Sequence, residues 1–401
     1  MVRRTRLQGT GLRTIGLRCP ASLEGVEAAL LETDGTVVAQ AGPFRLLPHP
    51  PALRRVLRAA LEAGPEEAWG GLGPAVERLV ERCAEAVAAV AGPDGVATSG
   101  IIAPGVVALG FDGPGLAGCG RDGAPVPLME GGFLARRLGL PVASGFGGGL
   151  AAGEDGRVIL PSAYPALTAG LPRPLAILDL DGVARVTWLG PGDRWDSGEM
   201  LRFEAGPAGG PAEGWAEWSL EASGEDMSGR LAMAGRADGA VLARLIAHPG
   251  LRLGAAGPPE QGGPGGGDAG GAGSGEGDPG RARFDRAGFE RALRRAGAMA
   301  LPPADGAAVV VAYSALCVAE AARHLPGPPR QWLLAGRGRV NAALRRALAA
   351  VLEEPVRTVD AAGFDGMALP SQALAVLAAR AMQGLMAMPD RMVGEEGGQV
   401  R

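Results

Sequence analysis

Two Asp-Gly dipeptides, Asp34-Gly35 and Asp181-Gly182, each fall between short apolar runs. In that setting Asp-Gly is a strong hairpin signal, because both residues tolerate the positive φ that a tight reversal needs. Two antiparallel pairings are therefore expected. The first takes residues 14–17, 26–32 and, after the Thr33-Asp34-Gly35 turn, 36–40. The second takes 175–179 and 183–189. Apolar residues at helical spacing mark helices over 51–63 (Leu53, Val56, Leu57, Ala60, Leu61) and 73–91 (Val76, Leu79, Val80, Cys83). Further helices are expected over 131–138, closing at Gly139, and over 237–247, 284–300, 303–325, 342–352 and 371–386. Strands are expected over 95–109, from 141, and over 331–334 and 356–360. Strand, Gly-rich loop, helix and strand in succession is α/β logic.

At 401 residues the chain has room for two domains or one two-lobed body. Apolar residues make up 47% and charged residues 20%, which supplies a core and excludes a disordered chain. A net charge of −4 gives no broad basic field for nucleic acid. There is no lysine, which excludes a Walker-type phosphate loop and a Schiff-base nucleophile. His49, His248 and His324 are too scattered to make a metal-ligand motif. Cys19, Cys83, Cys119 and Cys317 form no CxxC pair and read as free thiols. The Arg-rich start lacks a continuous apolar core, and the longest apolar stretch, 307–319, is short for a bilayer and runs into Glu320. A cytoplasmic protein without membrane contact is expected. Residues 254–280 are almost wholly Gly, Ala, Pro and acids, and read as a flexible insertion.

Three Gly-bearing turns stand at strand ends: Ser22-Leu23-Glu24-Gly25, Asp181-Gly182 and Gly336-Arg337-Gly338. Glycine there lets backbone N–H groups approach phosphate oxygens. Among 68 glycines, each also reads as an ordinary turn.

The order of these turns resembles the actin, sugar-kinase and heat-shock-70 superfamily. Within it the sequence is similar to the anhydro-N-acetylmuramic acid kinases. Residues 15–30, I-G-L-R-C-P-A-S-L-E-G-V-E-A-A-L, look like the family's I-G-L-M-S-G-T-S-L-D-G-V-D-A-A-L. Residues 175–189 resemble its N-I-G-G-I-A-N-V-T-W-L, residues 203–207 its F-D-T-G-P, and residues 334–344 its V-C-G-G-G-A-H-N-P-x-L. Residues 229–249 resemble its G-x-L-A-x-x-G-x-V-D segment, and the likeness fails mainly at 254–280. It implies an α/β fold of two lobes, each a mixed sheet flanked by helices, with a central cleft. Lobe one would span 1–130 with the C-terminal 371–401, and lobe two 131–370. It further implies a dimeric, ATP- and Mg²⁺-dependent kinase that phosphorylates 1,6-anhydro-N-acetylmuramic acid on O6 while water opens the ring, for cell-wall recycling. Ser22, Leu23, Gly25, Gly182, Gly336, Gly338 and Asn341 would bind ATP, and Gly105, Gly206 and Pro207 would line the substrate cleft.

The departures fall on polar positions. The family's aspartate base, in D-F-R-x-x-D-V-A-A-G, falls on Gly149, and its arginine on Phe146. Glu154 and Asp155 are nearby substitutes for the base and also read as solvated loop acids. Gly-Thr of the first loop became Pro20-Ala21, so one N–H and one hydroxyl are lost. His and Gln of H-G-Q-T-V fall on Pro104 and Val106. Asn-Ile-Gly-Gly became Asp179-Leu180-Asp181-Gly182, which puts carboxylates where phosphates would sit. Asp112 reads as a turn residue, and Trp188, Trp215 and Trp218 as core or interface. Three readings stay open: a non-catalytic homologue, a working anhydro-sugar kinase with an altered site, and a kinase or hydrolase of another small molecule.

Overall fold

The computed structural model describes residues 11–20, 22–63, 73–91, 105–116, 126–146, 160–192, 200–208, 229–248, 286–385 and 392–393. They gather into two compact units. One draws on Met1–Gly170 and Ala368–Arg401, the other on Leu171–Gly192 and Ser197–Met367.

In the first unit, β1 (Leu12–Arg18), β2 (Gly25–Thr33) and β3 (Val38–Pro48) form an antiparallel meander. The Asp34 carboxylate holds the β2–β3 reversal by accepting from the N–H groups of Thr36 and Val37, both at 2.8 Å, while Gly35 takes φ +77°. β3 runs on to Pro48, past the strand expected at 36–40. β4 (Val106–Asp112) lies parallel to β1, and β7 (Val142–Ala143) parallel to β4. A two-strand ladder joins β5 (Gly115–Leu116) to β6 (Val126–Pro127), and β13 (Met392–Val393) pairs antiparallel with β7. Asp112 is the buried last residue of β4, whose carbonyl accepts from Cys19 N–H at 2.9 Å, and not the turn residue expected.

Helix α1 (Pro51–Ala63) and α2 (Gly73–Ala91) send Leu57, Leu79, Cys83 and Val87 into the core that also holds Ile15, Leu17 and Leu109. α3 (Gly131–Leu138) stops at Gly139, whose φ of +64° closes the last turn onto the Ala135 carbonyl. Because β7 belongs to this sheet, the first unit continues past the boundary expected at 130, to Gly170. A short α4 (Tyr164–Leu167) precedes that boundary.

The second unit repeats the plan. β8 (Leu175–Asp181), β9 (Val183–Leu189) and β10 (Met200–Pro207) make a meander. β11 (Trp332–Ala335) is parallel to β8, and β12 (Val356–Thr358) is parallel to β11. The two sheets thus share one order, β3-β2-β1-β4-β7 and β10-β9-β8-β11-β12, although no sequence repeat is visible. Around this sheet lie α5 (Arg230–Ala234), α6 (Gly239–Ile246), α7 (Arg286–Ala296), α8 (Pro303–Ala322) and α9 (Ala342–Val351). α8 as a whole is long and apolar enough to cross a membrane by length and composition, although the apolar stretch within it, 307–319, is shorter. Its Val309, Val310, Tyr313, Cys317 and Val318 are core residues of this unit. Two mixed sheets with helices, as the resemblance implies, are what the chain builds; residues 254–280 lie outside the described residues.

The last helix, α10 (Leu369–Met382), returns to the first unit and packs on β1, β2 and β4. A Cβ on Gly16 would collide with the Ser371 carbonyl oxygen, and one on Gly110 with that of Leu374. Thr14 Oγ1 donates to the Ala375 carbonyl at 2.8 Å in the same contact.

Candidate functional site

Five of the residues expected to bind ATP or substrate come together at one end of the second sheet. Gly182 alone links β8 to β9, at φ +76°, with open space where a side chain would stand. Asp181 is the last residue of β8, not part of a longer turn. The Gly182 carbonyl accepts from Ala208 N–H at 3.0 Å, which brings Gly206 and Pro207 of β10 alongside. A Cβ on Gly206 would press 2.7 Å from the Cβ of Cys317. β11 pairs with β8 through Ala335 and Asp179, so the Gly336 loop leaves the sheet beside the same turn. Gly336 and Gly338 lie so near Leu180 that added Cβ atoms would meet its backbone at 2.9 and 2.7 Å.

Asn341, the only asparagine, is buried and caps α9: its side-chain oxygen accepts from Leu344 N–H at 2.9 Å. Two arginines of the same loop carry the charge. Arg337 Nε donates to Asp181 Oδ1 at 3.0 Å, between side chains each 36% exposed. Arg339, buried, donates to both oxygens of Asp360 at 2.7 and 3.2 Å and to the Gly336 carbonyl at 3.0 Å. Burial of Asp360 opposes its ionisation. The hydrogen bonds from Arg339 and Gly366 N–H, with the Arg339 charge, outweigh it and hold the carboxyl below its ordinary pKa. Sequence reasoning missed Arg337, Arg339 and Asp360. The available signal was arginine at two motif positions that the family fills with glycine and alanine.

The first Gly-bearing loop belongs to the other unit. Leu23 sits at φ +55°, a conformation that costs a side chain about 1–2 kcal/mol. Its side chain is 1% exposed in the core, and burying a leucine returns roughly 1.5–3 kcal/mol, so packing holds the turn. Its N–H donates to the Pro20 carbonyl at 2.9 Å, so neither N–H nor side chain is open to a phosphate. Gly25 is a strand residue paired with Pro48, where a Cβ would strike the Leu47 carbonyl. Ser22 is exposed. Gly105, also exposed, precedes β4 at φ +91° in this unit, whereas Gly206 and Pro207 belong to the other. Gly149, Glu154 and Asp155 lie outside the described residues, as do Ala21, Pro104, Trp215 and Trp218. Trp188 is buried and donates to the Gly327 carbonyl at 3.0 Å.

Behind this loop, Cys19 Sγ and His49 Nε2 lie 3.4 Å apart. Burial, then the Glu27 charge, pushes the thiol up to about 12 against the pull of Arg18. Burial and the charges of Arg82 and Arg54 push the imidazole down. Both groups are neutral, and no thiolate nucleophile is made. Cys19, Cys83 and Cys317 are free and buried, and Cys119 is outside the described residues. Arg18 pairs with Glu27 at 3.3 Å, and its register partner on β4 is Asp112, so charges from three adjacent strands share one level of the sheet. Among the described residues, no three of His, Cys, Asp and Glu gather as a metal site.

Solved structures with a similar chain path include the activator of the 2-hydroxyisocaproyl-CoA dehydratase from Clostridium difficile with bound ADPNP. It is 12% identical, at TM-score 0.45, over 95% of this chain and 100% of that one. A ROK family glucokinase from Streptomyces griseus in complex with glucose and AMPPNP is 14% identical, at TM-score 0.41, over 91% and 99%. Sequence relatives are nearer. The protein named anhydro-N-acetylmuramic acid kinase in Rhodospirillum rubrum is 34% identical over 92% of this chain and 88% of its own. Its namesake in Acidiphilium cryptum is 35% identical over 94% of each. The family profile described as Anhydro-N-acetylmuramic acid kinase matches residues 12–258 and 275–399, and breaks only inside the Gly-rich segment. On a match that spans both sheets and every Gly-bearing turn described above, this chain belongs to the anhydro-N-acetylmuramic acid kinase family.

Proposed function

We propose that this chain is a non-catalytic member of its family, a pseudokinase that keeps the scaffold and has lost phosphoryl transfer. One observation carries the reading. Several motif residues it retains have a packing task, while the polar positions of the motif are lost. Gly16 admits α10, Gly25 admits β3, and Gly336 and Gly338 admit β8. Leu23 fills the core and Asn341 caps α9. The polar positions hold Pro20, Ala21, Pro104, Val106 and, in place of the base, Gly149. Retention for folding and not for chemistry leaves this pattern.

The residues present do not fit ATP. Pro20 has no N–H to offer, the Leu23 N–H is taken, and the Gly336 loop carries a side chain that bonds Asp181. The resemblance supports a small-molecule or protein ligand for a cytoplasmic homodimer. The second reading, an active anhydro-sugar kinase, is favoured by 34–35% identity to relatives of that name. There ATP and Mg²⁺ would be used, and Glu154 or Asp155 would be the base.

Steady-state turnover of ATP with 1,6-anhydro-N-acetylmuramic acid, in wild type and in Gly149→Asp, decides between them. A positioned base contributes about 10²–10⁴-fold, and each lost transition-state donor removes roughly 10²–10³-fold. Neither protein is expected to form phosphosugar, because one recovered group does not replace several. Phosphosugar from the wild type would overturn the proposal, and phosphosugar from Gly149→Asp alone would show an otherwise intact site.

A further inference from the structure

Asp181 and Arg337 stand at two positions that the family motifs N-I-G-G and V-C-G-G-G fill with glycine. Here the two side chains meet, Arg337 Nε to Asp181 Oδ1 at 3.0 Å. A double-glycine turn beside a triple-glycine loop leaves backbone N–H groups bare to an anion. In this chain the same seam between β8 and β11 is bridged by an ion pair, whose carboxylate belongs to the residue directly before Gly182. The surroundings leave the bridge little freedom to withdraw. Gly336 and Gly338 lie close enough to Leu180 that neither has room for a side chain, and Arg339 bonds both the Gly336 carbonyl and the two oxygens of Asp360.

We infer that the Asp181–Arg337 pair is a built-in occupant of this loop pair, which closes it to the phosphates of a nucleotide. The inference rests on the non-catalytic reading above and deepens it, since it names what fills the site. Pairing alone would not exclude a nucleotide. An ion pair this exposed opposes its own rupture by a factor of about five at most. Exclusion comes from the bulk of both side chains and from repulsion between phosphate and the Asp181 carboxylate, to which Asp179, whose carboxylate lies beside Gly336, adds. Removing only Arg337 therefore leaves the repulsion in place, and both residues must be removed to open the seam.

The test is calorimetric titration of ATP–Mg²⁺ into wild type, Arg337→Gly, the Asp181→Gly/Arg337→Gly double variant, and the charge exchange Asp181→Arg/Arg337→Asp. Wild type, Arg337→Gly and the charge exchange are expected not to bind at up to millimolar nucleotide. The double-glycine variant is expected to bind at least tenfold tighter than wild type. If glycine unfolds the turn, as circular dichroism would show, Asp181→Ser/Arg337→Ser reads the same effect. A folded double variant with no gain overturns the inference and leaves the non-catalytic reading standing. So does micromolar ATP binding by wild type without phosphosugar formation. Phosphosugar from wild type would remove both.

Discussion

Arg339 holds the Gly336 loop in place, and its chemistry sets a pH dependence. Its guanidinium is buried and makes three hydrogen bonds, two to Asp360 and one to the Gly336 carbonyl. Arg339→Ala is expected to cost about 1–3 kcal/mol of unfolding free energy at neutral pH, from the lost hydrogen bonds of a buried guanidinium, because the part-exposed Asp360 carboxylate keeps water and the Gly366 N–H. Arg339→Lys should recover little, since an ammonium cannot reproduce the fork. The Asp360 pKa is lowered in the fold, so its contribution is present above the unfolded carboxylate pKa and is lost as pH falls through the folded one. Urea unfolding of wild type and Arg339→Ala should therefore differ most at neutral pH, and the gap should narrow in acid as the Asp360 carboxyl protonates, leaving the part due to the Gly336 carbonyl. A gap that persists unchanged into acid would place the effect in packing and not in the ion pair. Asn341 teaches the complementary lesson about legibility. An asparagine directly before an apolar helical run is a cap signal in its own right. The resemblance assigns Asn341 a ligand role, and the local rule describes the cap that its side chain forms.

Elements with one clear period were legible. α1 and α2 match the sequence limits, and both Asp-Gly reversals form where expected, though the second turn is only Gly182. β10 was not legible, because Arg202, Phe203 and Glu204 are all part-exposed and break the alternation. The packing of α10 was not legible either. Ser371 through Arg380 are buried without interruption, so no polar face announces which side meets the sheet. The signal lay instead in the strands: Gly16 on β1 and Gly110 on β4 are strand-interior glycines, which mark close backbone approach. Gly110→Ala sets a Cβ against the Leu374 carbonyl, an atom that cannot rotate aside. Overpacking of a core costs about 1–3 kcal/mol, and a backbone obstacle puts this site at the upper end or beyond. A fall of less than a third of that in unfolding free energy, measured by urea titration, would mean that α10 is free to lift from the sheet.

At the scale of the whole chain, the two sheets share a strand order but differ in how the sequence supplies them. The second unit's core cluster, from Ala176 to Leu352, and all five strands of its sheet lie within one stretch of chain. The first unit instead needs both ends. Its strands β1 to β7 come from the N-terminal part, but α10 and β13 come from beyond Ala368. Without α10, Gly16 and Gly110 would leave grooves in the sheet, Thr14 Oγ1 would lose its acceptor, and Arg380 would no longer bond the Gly35 carbonyl at the β2–β3 turn. α10 makes the larger contact with β1 and β4, whereas α2 packs mainly on β2 and β3. A polypeptide of residues 171–367 is therefore expected to unfold cooperatively on heating, with native-like circular dichroism. One of residues 1–170 is expected to lack a cooperative transition until a peptide of residues 368–401 is added, when the transition should appear in proportion to the peptide bound. Cooperative unfolding of 1–170 alone would show that α10 covers a sheet already stable without it.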